Sequence, residues 1–346
     1  MTKAAFSRFR TVLAGAVLLQ LIVVGAWGQD PDPEEVWEET VVVSASRFEQ
    51  PVEDVAANAT VLTEDDVERS ASLTTDDFLR QVPGFSLFRR SSSLTAHPTS
   101  QGVSLRGIGP SGVSRTLVLL DDIPLNDPFG GWVYWSRVSL DTIERVEVVR
   151  GGASNLWGNS ALGGVIHLFT RDPQAGAASV RAEVGDRSTY MLDASVSEQF
   201  SSSGIYVGIN AFDTGGFHVL APQDRGPIDV PASSEHLNGG VRYTADIGES
   251  TGISARANYF EEDRGNGTPL TGNDTDATSL ALRLTHVDGA GGEWRIALFG
   301  HDQEFASFFS AQAGDRASES PANDQFLVDS EGFGVGVQWV SATVGD

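Results

Sequence analysis

Cysteine is absent from the 346-residue chain. Its absence excludes disulfide bonds, thiol catalysis and thiolate metal sites, and also the residue that a bacterial lipoprotein anchor requires. Basic residues are few, since 23 lysines and arginines face 47 acidic residues and the net charge is -24. We therefore expect no nucleic-acid partner, because little would neutralise its phosphates.

Sequence motifs for catalysis and metal binding are also missing. The histidines show no H-x-H or H-x-x-x-H spacing, and "GPSGV" and "GGASN" lack the G-x-S-x-G nucleophile elbow. Asp121, Asp122, Asn126 and Asp127 cluster without EF-hand spacing, and we interpret them as solvated turn residues. The sequence predicts no enzyme activity, no cofactor and no protein metal site.

The N-terminus has the pattern of an export signal. Lys3, Arg8 and Arg10 precede the apolar stretch "TVLAGAVLLQLIVVGAWG", which a polar segment follows. This order predicts a signal peptide over residues 1–28. An uncleaved anchor is the alternative, because about 17 apolar residues are near the lower limit for a membrane span. The acidic, proline-bearing residues 29–50 are predicted to be a periplasmic linker.

Residues 51–172 mix helical and strand patterns. Capping-box-like spacings, Thr63 before Asp66 and Thr74 before Asp77, predict two short helices. Strand-like runs follow at "GVSLRG", "RTLVLLDD", "ERVEVVRG" and "GGVIHLFTR". We predict a small α+β domain.

Residues 173–346 alternate apolar and polar side chains with a period of two, as in "YMLDASVS" and "LNGGVRYTADI". The pattern predicts about eight strands with one lipid-facing side. Tight turns alternate with long polar connections, predicted over 213–234, 262–274 and 305–331, which favours a membrane barrel over a soluble sandwich. We therefore expect an outer-membrane protein.

The number of strands bears on the architecture. An eight-stranded barrel is filled by its own side chains, whereas a barrel of about 22 strands can enclose a domain of roughly 120 residues. At about 21 residues per strand and connection, that barrel needs roughly 460 residues. We expect the chain to be an N-terminal part of a longer protein, with a natural truncation as the alternative.

The loop "RGIGPSGVSR" contains a G-x-G-x-x-G pattern, but a strand-like run follows it and a proline interrupts it, so a dinucleotide site is not favoured. The segments "SLRGIG", "TLVLLDDIPLND" and "IERVEVVRGGASNLWGNSALGGVIHLFTR" resemble, in order and spacing, the plug domain of TonB-dependent outer-membrane receptors over roughly residues 39–172. Asp122, Gly152 and Trp157 depart from the glycine, proline and tyrosine usual in that family. The resemblance implies a small α+β plug domain followed by antiparallel transmembrane β-barrel strands.

It also implies a function. The chain would be a monomeric outer-membrane receptor and transporter for a metal chelate, siderophore- or cobalamin-like, energised by the periplasmic protein TonB and surrounded by outer-membrane lipid. A truncated or non-transporting binding protein is the alternative.

The segment "ETVVVSAS" resembles the TonB box, which pairs with TonB as an added strand. From the pattern alone, an ordinary first strand of the next domain is the alternative. The predicted box residues are Glu39, Thr40, Val41, Val42, Val43, Ser44 and Ala45.

The resemblance assigns further site residues. Arg106 and Arg150 resemble family arginines that pair with acidic groups on the barrel wall, since buried charges need such partners. Glycines would allow sharp turns and close packing in the plug, and these are Gly107, Gly109, Gly112, Gly163 and Gly164.

Arginines and aromatic residues in two plug loops suit a large anionic or ring-bearing chelate. Packing of the plug against the barrel is the alternative use for these aromatic rings. The candidate ligand-binding residues are Arg89, Arg90, Phe129, Trp132, Tyr134 and Trp135.

Overall fold

A computed structural model describes residues 41–42, 47, 50–51, 58–89, 91–108 and 113–341. The predicted signal peptide, most of the linker and part of the glycine loop lie outside the described residues. We call the described residues 58–172 the plug, and the strands from residue 177 onward the wall strands.

The plug is built on a five-stranded mixed sheet with the strand order β3-β8-β9-β6-β7. Strands β6 and β9 run parallel, and the other neighbours in this sheet are antiparallel. Two short pairs lie outside it, β1 with β2 and β4 with β5. The strands are β1 (Val41–Val42), β2 (Gln50–Pro51), β3 (Asn58–Leu62), β4 (Phe85–Leu87), β5 (Val103–Leu105), β6 (Thr116–Leu120), β7 (Ile123–Pro124), β8 (Ile143–Arg150) and β9 (Gly164–Thr170).

Three short helices accompany the sheet: α1 (Glu64–Glu68), α2 (Thr75–Leu79) and α3 (Ser154–Trp157). The capping box predicted before α1 is confirmed, since Thr63 N donates to Asp66 Oδ2 at 2.9 Å. Both predicted short helices are confirmed, although the Thr74 side chain makes no capping bond at the start of α2. Arg80 Nε, one helical turn further along, donates a hydrogen bond to Asp77 Oδ1 at 2.8 Å instead.

Both faces of the plug sheet are covered. All five residues of β6 are buried, which explains its unbroken apolar run "TLVLL". On one face, Val118 packs in a core that includes Phe78 and Trp135. On the other face, Leu119 packs with Ala161 and the ring of Trp157.

The wall strands form an eight-stranded antiparallel sheet in which each strand pairs with its sequence neighbours. The eight strands predicted from alternation are confirmed. They are β10 (Ala177–Gly185), β11 (Thr189–Gln199), β12 (Ser203–Phe217), β13 (Ala232–Ile247), β14 (Thr251–Gly265), β15 (Gly272–Val287), β16 (Glu293–Gln312) and β17 (Glu319–Val340).

The long connections are shorter than the sequence predicted. They cover 218–231, 266–271 and 313–318, because the flanking strands continue into the polar segments. Strand β17 reaches 22 residues and begins with the polar "ESPAND". Backbone pairing continues there although the apolar alternation that indicates a strand has ended.

The outward face of the wall is apolar. Val207 and Ile209 are exposed, whereas the residues that flank them on the strand, Tyr206 and Asn210, are buried on the inner face. Trp294 and Trp339 lie beside the short turn 288–292 with ring centroids 6.2 Å apart, as in the aromatic girdles of membrane strands. Among the described residues, no helix has the length and apolar character needed to cross a membrane.

Replacing Ile209 by arginine puts a charge on the apolar face, where Ile209 is 44% exposed. We expect the free energy of unfolding in lipid vesicles to fall by about 2–4 kcal/mol, the cost of arginine near the bilayer midplane. Denaturant titration in vesicles measures it. The matched control is Val219→Arg in the connection 218–231, where the side chain is 66% exposed. Equal effects at both sites would contradict a lipid-facing Ile209.

Candidate functional site: the contact between plug and wall strands

The turn between β6 and β7 makes the first of two polar contacts between plug and wall, and we call it the lower contact. Asp121 and Asp122 form a two-residue hairpin turn with φ angles of 46° and 72°. Positive φ at both positions is the condition for a type I′ turn, and aspartate tolerates it better than most residues. Asp122 N donates to the buried His167 Nε2 at 3.1 Å, which fixes the turn on β9.

The carboxylates of this turn pair with arginines of the wall. Arg256 binds Asp121, and Arg283 binds Asp122. The prediction that these are solvated turn carboxylates is therefore wrong. The local sequence could not show this, because the partner arginines are 135 and 161 positions away.

Asp121 is the most strongly held of these groups. Thr170 Oγ1 and N donate to its carboxylate at 2.6 Å and 3.0 Å. Burial disfavours the charged carboxylate, but the charges of Arg256 and Arg242 and the bonds from Thr170 outweigh it and hold the pKa of Asp121 at about 2.

Arg242 completes the lower contact. Its guanidinium lies 2.6 Å from Asp172 and donates to the Thr170 carbonyl at 2.8 Å. Three neighbouring wall strands, β13 to β15, thus each direct one arginine at this lower contact.

A second contact, which we call the upper contact, is centred on a fully buried ion pair of the wall. Arg264 and Glu262, both on β14, pair at 2.5 Å with no exposed side-chain surface. Arg264 Nη1 also donates to the carbonyls of Ser93 and Ala96 at 2.6 Å and 2.7 Å. Ser136 Oγ donates to Glu262 at 2.6 Å, so a plug loop and a plug turn are joined to one strand.

Polar bonds around Arg137 extend this upper contact. Its carbonyl accepts a bond from Asn238 Nδ2 at 2.6 Å, and its guanidinium lies 3.3 Å from His301 Nδ1. Burial lowers the pKa of Arg137 to about 10, although Tyr134 and Asp127 oppose the shift. Gln303 Nε2 donates to Asp127, whose pKa burial raises above its ordinary value.

A small aromatic cluster of buried residues joins the plug to the wall. Trp132 and Tyr134 pack with Phe260, Ala277 and Phe305 of the wall. The centroids of Trp132 and Phe305 lie 5.7 Å apart, and those of Tyr134 and Phe260 lie 6.0 Å apart.

This placement bears on the candidate ligand-binding residues. Burial of Trp132 and Tyr134 against the wall favours the packing alternative, and Trp135 belongs to the plug core. Phe129 is 64% exposed. Arg89 is buried and pairs with Asp76 at 2.7 Å, and Arg90 lies outside the described residues. Ligand contact stays a prediction for these residues.

Arg106 and Arg150 make their described contacts within the plug. Arg106 is exposed, and its N donates to the Gly84 carbonyl at 2.8 Å. Arg150 donates to the Pro83 carbonyl at 3.3 Å and to Thr60 Oγ1. Their pairing with acidic groups of the barrel wall stays a prediction.

Among the predicted glycines, Gly164 has the clearest requirement. Its φ is 137°, and a Cβ atom there would overlap the carbonyl oxygen of Val149 on β8. Gly163 N donates to the Arg115 carbonyl at 2.7 Å, and Gly107 has a φ of 72°. Gly109 and Gly112 lie outside the described residues.

Two residues of the predicted TonB box are described. Val41 pairs with Pro51 and Val42 with Gln50 in an antiparallel ladder. Arg47 follows the box, and its guanidinium lies 4.5 Å from the ring centroid of Trp157. Arg295 Nη1 donates to the Arg47 carbonyl at 3.2 Å. Glu39, Thr40, Val43, Ser44 and Ala45 lie outside the described residues.

In the part of the chain that the structure describes, no group of three or more histidine or acidic side chains is placed to hold a metal ion. The wall arginines are the functional residues that the sequence analysis missed. The sequence feature that could have identified them is an arginine on the polar face of an alternating strand, as at Arg242 in "LNGGVRYTADI".

Comparison with known proteins identifies the plug by its sequence. The TonB-dependent receptor plug domain family matches residues 51–165. The vitamin B12 transporter BtuB of Vibrio vulnificus is 31% identical over 188 residues, which is 54% of this chain and 30% of that protein.

Solved structures share the fold. The siderophore receptor PirA from Acinetobacter baumannii has a TM-score of 0.60 at 16% identity, covering 81% of this chain and 44% of that one. A mutant of the ferric enterobactin receptor PfeA from Pseudomonas aeruginosa has a TM-score of 0.61 at 17% identity, covering 86% and 46%. The chain thus spans less than half the length of these proteins. Residues 51–165 thus match the plug domain of the TonB-dependent receptors, and the plug followed by eight antiparallel wall strands has the fold of part of such a receptor.

Proposed function

We propose that the chain belongs to an outer-membrane transporter that captures a metal chelate outside the cell and imports it with energy from TonB. The observation that supports this most directly is the polar contact between plug and wall. Ion pairs and hydrogen bonds dominate it, whereas the apolar core of the plug is its own. Such a contact can separate and re-form while the apolar core of the plug stays buried.

The substrate class is inferred from the relatives. One is named a vitamin B12 transporter, and others are named siderophore or ferric enterobactin receptors. We infer a siderophore- or cobalamin-like chelate for this chain. Phe129, exposed in the loop that Asp127 organises, is our first candidate for its ring contacts.

The arrangement along the chain follows from this function. We propose a signal peptide over 1–28, a periplasmic linker with the TonB box over 29–50, a plug over 51–172 and barrel strands over 173–346. The apolar outer face would contact outer-membrane lipid, and the working unit would be a monomer.

The TonB box is tested by Val42→Pro, which removes the backbone donor that an added strand needs. We expect chelate binding to cells to persist while energised uptake falls to background. Val42→Thr keeps the donor and is the matched control, for which we expect uptake near that of the wild type. Normal uptake in the proline variant would refute the assignment of the box.

Movement of the plug is tested by tethering its lower turn to the wall. The chain has no cysteine, so Asp122→Cys with Arg283→Cys provides a unique thiol pair. We expect a short bifunctional thiol reagent to abolish uptake and leave chelate binding intact, because the turn can no longer leave the wall.

Each single-cysteine variant, treated with the same reagent, controls for the loss of the ion pair. Full uptake by the tethered protein would show that the β6–β7 turn stays in place during transport. Binding without uptake in the untreated wild type would favour a non-transporting binding protein.

A further inference from the structure

Four arginines form a continuous strip on the inner face of the wall. They are Arg242, Arg256, Arg283 and Arg295, one on each strand from β13 to β16. Arg242 lies directly opposite Arg256 in the ladder. Arg283 is opposite Ser254, two positions from Arg256, and Arg295 is opposite Thr285, two positions from Arg283. We call these four residues the arginine strip.

A strip of this kind is unfavourable unless anions accompany it. Like charges directly opposite each other destabilise a sheet, and diagonal neighbours are within reach of long side chains. Here the counter-charges of Arg242, Arg256 and Arg283 are Asp172, Asp121 and Asp122 of the plug. Arg295 differs, because it pairs with Glu293 of its own strand.

The charge balance of the wall therefore depends on a part of the chain that transport would displace. When the β6–β7 turn leaves, Arg256 and Arg283 lose their carboxylates together. A cavity of about 850 Å³ already borders the strip, and Arg242, Arg283 and Arg295 line it. This volume is within the range of small-molecule sites.

We propose that the arginine strip binds anionic groups of the cargo after the plug turn leaves it, and that Asp121 and Asp122 occupy the same positions beforehand. The inference rests on the proposed transport function and narrows its substrate class. The cargo would bear carboxylate, phenolate or phosphate oxygens, which the planar guanidinium fork binds in pairs.

A purely structural role makes a different prediction. If the arginines only anchor the plug, removing either half of the ion pairs has the same effect. If they form an anion site, removing the aspartates leaves that site free, and removing the arginines destroys it.

The first experiment uses the purified full chain in detergent with citrate as the anionic probe. We expect citrate to raise the unfolding temperature of the Asp121→Asn/Asp122→Asn variant by several degrees, saturably, beyond chloride at equal ionic strength. Adding Arg256→Gln and Arg283→Gln to this variant should remove the effect. A citrate response of the aspartate variant no larger than that of the wild type would overturn the proposal.

The matched control is Asp229→Asn, which frees Arg316 in the outer connections from its carboxylate. We expect no saturable citrate response there, because a single freed arginine is not a strip. A response equal to that of the double variant would also overturn the proposal. If the double variant does not fold, Asp122→Asn alone is measured by the same criterion.

A second experiment separates this inference from the proposed function. Cells with this protein as their receptor are given radiolabelled iron as ferric citrate or as an uncharged ferric hydroxamate. We expect Arg256→Gln/Arg283→Gln to reduce citrate uptake at least tenfold more than hydroxamate uptake. Equal losses would overturn the inference, whereas no uptake of any chelate by the wild type would overturn the transport function and leave the citrate measurement standing.

Discussion

Neutralisation of buried charge between the plug and the wall is the constraint on which the rest of the structure depends. The wall presents partly buried arginines to the plug, and buried charges are costly without partners. The plug supplies these partners from a turn whose backbone is fixed on β9 by Asp122 N. The geometry of the turn thus determines where the carboxylates meet the wall arginines.

The upper contact follows the same rule with a different division of charges. Arg264 and Glu262 neutralise each other within one strand, and Nη1 of the arginine donates to two plug carbonyls. The plug contributes carbonyl and hydroxyl groups there and no carboxylate to that pair. Separation of the plug leaves this pair neutral, whereas separation at the lower turn leaves uncompensated cations. Opening the lower contact therefore costs more electrostatic free energy than opening the upper contact.

The sequence predicted the elements better than the contacts between them. The unbroken run of β6 and the alternation of the wall strands are local patterns, because each residue's face follows from its neighbours in the chain. The ion pair of Asp121 with Arg256 has no local signature, and an acidic pair in a turn has the same sequence pattern whether or not a distant strand covers it. Trp135 illustrates the same limit, since its aromatic loop suggested ligand contact while the fold buries it beside Phe85. The ends of the long strands also had no local signal, because polar segments such as the start of β17 lack apolar alternation.

The order of the strands in the plug has a mechanical consequence. The N-terminal side of the plug enters through β3, a partly exposed strand at one edge, and the aspartate turn lies at the opposite edge. If the chain is pulled from its N-terminus while the turn stays bound to the wall, the force acts through the sheet. It is transmitted from β3 to β8, then to β9, then to β6. The first pairing, β3 with β8, holds by five residue pairs at the rim of the sheet, while β6 is buried on both faces. Such a tension would therefore separate β3 from β8 before it acts on the aspartate turn. Unfolding of the plug would begin at the edge of the sheet opposite the ion pairs with the wall.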